Sequence, residues 1–249
     1  MKTDTDKSAG LSAQIAAEIR DAIISGDMNV DERLPSEAEL AEQFDVSRPT
    51  IREALKRLAA QSLIRTQRGA HGGAFVKRLS YEEASTQLIT TSTLLISMNA
   101  VSFDTACEAR FALERSCADL SAKRRRDEHL DAMAREIARQ KKPRLSDEAF
   151  CASDVAFHRA LVDGADNPVL SYQLAGSIEA MQPLMNMITF TARSRAEIVA
   201  IHTAILEAAR RRDGAEITAH LTRLETYTTT LAHSVFAERQ KSRDAARPN

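Results

Sequence analysis

Residues 33–64 read RLPSEAELAEQFDVSRPTIREALKRLAAQSLI, and the placement of caps and apolar residues in this stretch decides the fold of the N-terminal part. Ser36 is followed three residues on by Glu39, the capping-box arrangement in which side chain and backbone satisfy two otherwise unpaired amides reciprocally. A helix over about 37–44 follows from it. Asp45 and Val46 make a short turn, and Ser47 can cap another helix with Pro49 in its first turn, where the missing amide is harmless. That helix reaches about Gln61. Two short helices joined by a tight turn are a helix-turn-helix, whose second helix lies in the major groove of DNA with its first turn at the base edges. Ser47, Arg48, Thr50 and Arg52 project there. Arginine can fork onto the two acceptors of guanine, threonine can touch a thymine methyl or a phosphate, and the amides of a helix start attract phosphate.

Working outward, Leu11, Ile15, Ile19, Ala22 and Ile23 fall on one helical stripe and Gly26 offers a left-handed stop. A helix over about 11–25 is predicted, with residues 1–10 disordered. Downstream, Leu63-Ile64-Arg65-Thr66, a turn rich in Gly69, Gly72 and Gly73, and Ala74-Phe75-Val76 read as a β-hairpin with Arg68 and His71 at its tip. A hairpin after a helix-turn-helix is a wing, and with it an ordinary small helical bundle becomes the weaker reading.

Charge is segregated along the chain. The 249 residues carry a formal net charge of -1, which argues against a protein that coats nucleic acid over its whole surface. Residues 46–79 nevertheless hold Arg48, Arg52, Lys56, Arg57, Arg65, Arg68, Lys77 and Arg78 against Glu53 alone, a local +7. Residues 1–45 hold four basic residues against eleven acids. The basic segment is the candidate DNA face. No apolar run approaches the ~20 residues that span a bilayer, and the start MKTDTDKSAG has no apolar signal segment, so a cytoplasmic protein without a membrane partner is expected. Cys107, Cys117 and Cys151 lack paired spacing and read as buried free thiols.

From about residue 81 apolar residues recur at helical spacing, with breaks that predict helices near 81–98, 103–124, 128–141, 146–163, 168–190, 195–211 and 215–238. The fold class is therefore mainly α, a winged helix-turn-helix followed by an all-helical bundle. In SDVAFHRAL, Asp154 and His158 are four apart and leave one helix face, so the pair can chelate a metal; a salt-linked surface pair has the same spacing. His202 stands on another helix, and ligands from separate helices are a common way to build a metal site in a bundle.

RLPSEAELAEQFDVSRPTIREALKRLAAQSLI followed by RGAHGGAFV resembles the N-terminal domain of GntR-type transcription regulators over residues 11–78, and DVAFHRALVDGADNPVL, HTAILEAARRRD and EARFALERSCADLSA resemble the FCD effector domain of the FadR-like branch. The resemblance implies DNA contacts from Arg48, Thr50, Arg52 and wing residues around His71 and Gly72. It departs at Ala38, where many relatives carry an arginine. It also implies zinc or a similar divalent ion on Asp154, His158 and His202. For the fourth ligand it puts Leu224 at the usual histidine position, with His220 one turn earlier. Either His220 substitutes, or three side chains suffice with water or effector, or the site is metal-free; three ligands is the favoured form. Arg110 matches the arginine that relatives place beside the metal, as a clamp for a small organic acid, and pairing with Glu114 is its structural alternative. Asn167 is read as an effector contact or as the helix cap before Pro168.

The whole is a DNA-binding regulator, a repressor by expectation, with its DNA module at 11–78, an effector and dimerisation module at 79–238, and a disordered tail at 239–249. It acts on double-stranded operator DNA as a homodimer, with half-site centres ~10 base pairs apart or closer. Two rivals remain: a dimeric regulator that senses no ligand, and a metal-dependent hydrolase. The hydrolase lacks a well-placed general base and leaves the winged helix unexplained.

Overall fold

The computed structural model describes residues 4–69, 72–98, 101–181 and 193–245, and the chain divides into two compact units, Met1–Glu83 and Ala84–Asn249.

In the first unit α1 (Asp4–Ser25) ends at Gly26, whose φ of 86° supplies the left-handed stop. The helix starts seven residues before the predicted one, so residues 4–10, expected to be disordered, are helical. Nothing between Asp4 and Leu11 breaks it apart from Gly10, and a single glycine costs only about 1 kcal/mol once the helix is propagating. The capping box of α2 (Glu37–Gln43) is formed on both sides, with Glu39 N donating to Ser36 Oγ and Ser36 N donating to Glu39 Oε2. Asp45 takes a positive φ of 50° in the turn, and α3 (Arg48–Ala60) starts at Ser47, with Pro49 in its first turn. Ile15, Ile19, Leu34, Leu40, Ile51, Leu58, Ile64 and Val76 form the core that locks the three helices to the hairpin.

The hairpin is β1 (Ile64–Gln67) antiparallel to β2 (Gly73–Val76), with Ile64 opposite Val76 and Gln67 opposite Gly73. Its other edge is also covered. Arg33 bridges to Phe75, Leu34 N donates to Ala74 O and Val76 N donates to Glu32 O. This short third partner has no sequence signature, since it lasts only a few residues and ends in Pro35.

The second unit holds, among the described residues, α4 (Tyr81–Ser97), α5 (Phe103–Arg124), α6 (Asp127–Gln140), α7 (Asp147–Asp163), α8 (Pro168–Ala180), α9 (Arg195–Arg211) and α10 (Gly214–Ala245). Ser102, Ser146, Asn167 and Ser194 cap α5, α7, α8 and α9. The predicted helix over 168–190 holds as far as Ala180, and its remainder from 182 lies outside the described residues. The last helix runs to Ala245, past the expected end at 238, because Glu238, Arg239, Gln240 and Lys241 are all good helix formers with no glycine or proline among them. α5 packs along α10, and α6 along α7. Phe111, Phe150, Phe157, Leu161, Ile201, Ile205 and Leu221 fill the centre. The three cysteines are buried and free. No helix among the described residues is long and apolar enough to cross a membrane.

Candidate DNA face and metal centre

On α3 the leading turn is built by Ser47. Its hydroxyl accepts from Thr50 N and lies 2.8 Å from Thr50 Oγ1. Thr50 is only 6% exposed, which corrects its expected projection into a groove: the side chain braces the helix start. Ser47 and Arg48 are exposed. Arg52 is exposed too, and its guanidinium forks onto Glu37 of α2, Nε to Oε1 at 3.3 Å and one terminal nitrogen to Oε2 at 2.8 Å. The pairing holds the Glu37 carboxyl below its usual range, since the hydrogen bond from Arg52 outweighs burial. Arg52 is thereby held in a fixed orientation.

Arg68 is exposed on the wing, and His71 lies outside the described residues. Gly72 can carry no side chain, because a Cβ there would stand 2.4 Å from Gln67 O. Its carbonyl accepts from the Arg33 guanidinium at 2.7 Å. Arg33 was not legible as a wing residue, because it sits 39 positions away and touches only backbone.

In the second unit Asp154 and His158 of α7 meet His202 of α9, with one ligand atom from each lying within 4.8 Å of the others. Both histidines are fully buried, and the Asp154 side chain is 17% exposed. Around them stand groups that orient the rings. Glu114 of α5 brings Oε2 to 2.7 Å from His158 Nδ1 and accepts from Arg110 Nε at 2.7 Å. An ionised carboxylate only accepts, so this contact favours a proton on Nδ1 and the lone pair of His158 on Nε2, although neither Glu114 Oε2 nor His158 Nδ1 completes a hydrogen bond of good geometry. On the other side His202 Nδ1 is 2.9 Å from Gln140 Oε1 of α6, and its ring stacks on Phe157 at 4.0 Å. Neither His158 Nε2 nor His202 Nε2 has a hydrogen-bond partner among the described residues.

Two bare, buried ring nitrogens beside a carboxylate are a costly arrangement for a structural core. They suit a divalent ion held by nitrogen and oxygen donors. The electrostatics agree. Burial pushes His202 down to about 3 despite the pull of Asp154, so the ring is neutral and able to ligate. Burial would raise Glu114, but His158 and Arg110 prevail and hold it at about 2. Asp154 is likewise lowered against burial by both histidines and Arg110.

The structure does not bring His220 to this cluster. Leu221 and Leu224 occupy the core face of α10, which turns His220 to the shoulder, 3.6 Å from Glu216. Asn167 is also elsewhere engaged, its Oδ1 accepting from Val169 N and Leu170 N as the cap of α8. Arg110 is 3% exposed, bonded to Glu114 with a second nitrogen 3.9 Å from Asp154 Oδ2. Gln140 and the stacking role of Phe157 were missed in the sequence, as only the fold brings α6 and this face of α7 to His202 on α9.

Residues 11–76 match the family described as bacterial regulatory proteins, gntR family, and residues 105–226 match the FCD domain. YcbG of Bacillus subtilis, described as an uncharacterized HTH-type transcriptional regulator, is 26% identical over 213 residues, 86% of either chain. A regulatory protein named for the L-lactate dehydrogenase operon of Escherichia coli is 32% identical over 176 residues, 69% of this chain and 65% of that one. In fold, the Streptococcus agalactiae GntR structure aligns with a TM-score of 0.56 at 22% identity, covering 90% of this chain and 99% of that one.

Proposed function

The chain belongs to the GntR family of bacterial regulatory proteins and couples its DNA-binding domain to an FCD effector domain, and from that premise we propose that its operator binding is controlled by a small organic acid held at a divalent ion on Asp154, His158 and His202. The observation that carries this reading is the pair of buried, unpartnered imidazole nitrogens facing Asp154. A bound ion, zinc being the expected one, supplies a Lewis-acidic anchor for a carboxylate. Arg110 offers a guanidinium for the same carboxylate group. The relative named for an L-lactate dehydrogenase operon supports an organic acid as the effector class.

On the DNA side, Arg48 and Arg52 read bases, while Ser47, Arg68, His71 and the narrow backbone at Gly72 hold the phosphates and the wing. Two copies bind a palindromic site as a homodimer, a reading supported by the exposed Leu94 and Leu95 of α4 and Met98 just after it. The simplest form is a repressor released by its effector.

Footprinting on the promoter of its own gene, with Arg48→Ala and Arg52→Ala as controls, tests the DNA half; full protection by both variants overturns the contact assignment. Elemental analysis tests the sensor half. We expect about one zinc per chain in the wild type and loss of it in His202→Ala. Protein without a stoichiometric divalent ion, whose melting temperature ignores chelator, would leave the ligand-independent regulator as the correct reading.

A further inference from the structure

The two candidate histidine ligands are oriented by groups of different chemistry. His158 faces Glu114, an acceptor in every state it adopts as a carboxylate. His202 faces Gln140, 3% exposed, whose Oε1 lies 2.9 Å from Nδ1 and whose Nε2 has no partner among the described residues. A carboxamide presents an acceptor and a donor that exchange places by a half-turn about its last torsion. It is therefore able to serve either tautomer of a neutral imidazole, which a carboxylate is not.

We propose that Gln140 is the positioning residue of His202, and that its half-turn sets which ring nitrogen carries the proton according to whether the metal is bound. This rests on the metal reading above. With Oε1 toward the ring, Nδ1–H donates to Gln140 and the Nε2 lone pair is free for the ion. With the amide turned, Gln140 Nε2 donates to Nδ1, and His202 Nε2–H points to Asp154 Oδ1, 3.5 Å away. The second arrangement turns His202 Nε2–H towards Asp154, and a shift of a few tenths of an ångström in the partly exposed Asp154 side chain completes a hydrogen bond without a metal. The ring stays stacked on Phe157 with His158 edge-on at 5.2 Å. The proton leaves one ring nitrogen for water and returns from water to the other, so the exchange releases no net proton. His202 would then be the ligand whose lone pair is withdrawn from the ion, while His158, beside Glu114, would keep its own available.

Nitrogen-15 chemical shifts of selectively labelled histidine read the tautomer directly, before and after addition of zinc to chelator-stripped, full-length protein. We expect His202 protonated on Nε2 without zinc and on Nδ1 with it, while His158 carries its proton on Nδ1 throughout. Gln140→Glu, acceptor-only, should show Nδ1–H in both states and bind zinc about tenfold tighter in a chelator competition. Gln140→Met should bind it about tenfold weaker. Opposite signs in these two variants are not produced by a merely structural role, which would weaken binding in both. If wild-type protein binds zinc while His202 keeps Nδ1–H in both states, the proposal is overturned and the metal reading stands. If no zinc binds, both fall together.

Discussion

Glu114 is fully buried between a guanidinium and an imidazole, and its energetics follow from that position. Truncating it leaves the Arg110 charge in the interior without its partner, which typically costs about 3–5 kcal/mol. Glu114→Ala should therefore lose about that much in urea unfolding of the metal-free protein; a loss under about 1 kcal/mol would show that Arg110 finds another partner. His202 gives a pH signature of definite sign. Its folded value is about 3 against an ordinary 6.5, so the unfolded chain takes up the proton first as pH falls. Stability of the metal-free protein is undiminished above about 6.5 and declines down to about 3. Glu114, at about 2 against an ordinary 4.5, adds a later loss of the same sign as pH falls from about 4.5 towards 2. Thermal melts should show a shallower decline between pH 6.5 and 5 in His202→Gln than in wild type, and equal slopes would remove His202 as the cause. Asp154 and His158 were legible because an i,i+4 pair declares its shared face; Gln140 was not, lying 62 residues from the ring it orients.

Helix starts were the most legible elements, because a cap is a local contract between a side chain and amides two or three residues on. Ser36 and Ser47 mark α2 and α3 to within a residue of where the structure begins them. Helix phase is less legible than helix existence. The start of α10 was expected within a residue of where it lies, yet whether His220 or Leu221 faces the core depends on neighbours contributed by α5 and α9. The wing is the element most exposed to a single substitution. Gly72→Ala drives a Cβ into the Gln67 carbonyl, which is backbone and cannot rotate aside. That change should shift the turn and disengage Arg33, lowering operator affinity at least tenfold in a gel-shift titration while the helical unit melts as before. Unaltered affinity would mean that the wing makes no contact of consequence with DNA.

For the whole molecule the relevant quantity is the coupling between its two chemistries. If the basic segment 46–79 carries operator affinity, that affinity should fall steeply with salt, by a power close to the number of phosphates neutralised. Arg68→Ala, on a phosphate, should lower that power by about one, whereas Arg48→Ala, on a base, should weaken operator binding and relax its sequence preference. Metal removal should act differently. If the ion biases which dimer conformation is populated, chelation changes the operator affinity at every salt concentration by a constant factor and leaves the power unchanged. Linkage then fixes the converse, because a factor by which metal tightens operator binding is also the factor by which operator DNA tightens metal binding. Zinc affinity measured by competition, with and without an oligonucleotide carrying the operator, should shift by the ratio seen in gel-shift titrations with and without chelator. Ratios of one in both experiments would make the ion a fixture of the helical bundle with no part in regulation. A change in the salt power on chelation would mean that metal removal disturbs the DNA face itself. Only a matched ratio above about five, at constant power, makes the Asp154–His158–His202 centre part of the switch.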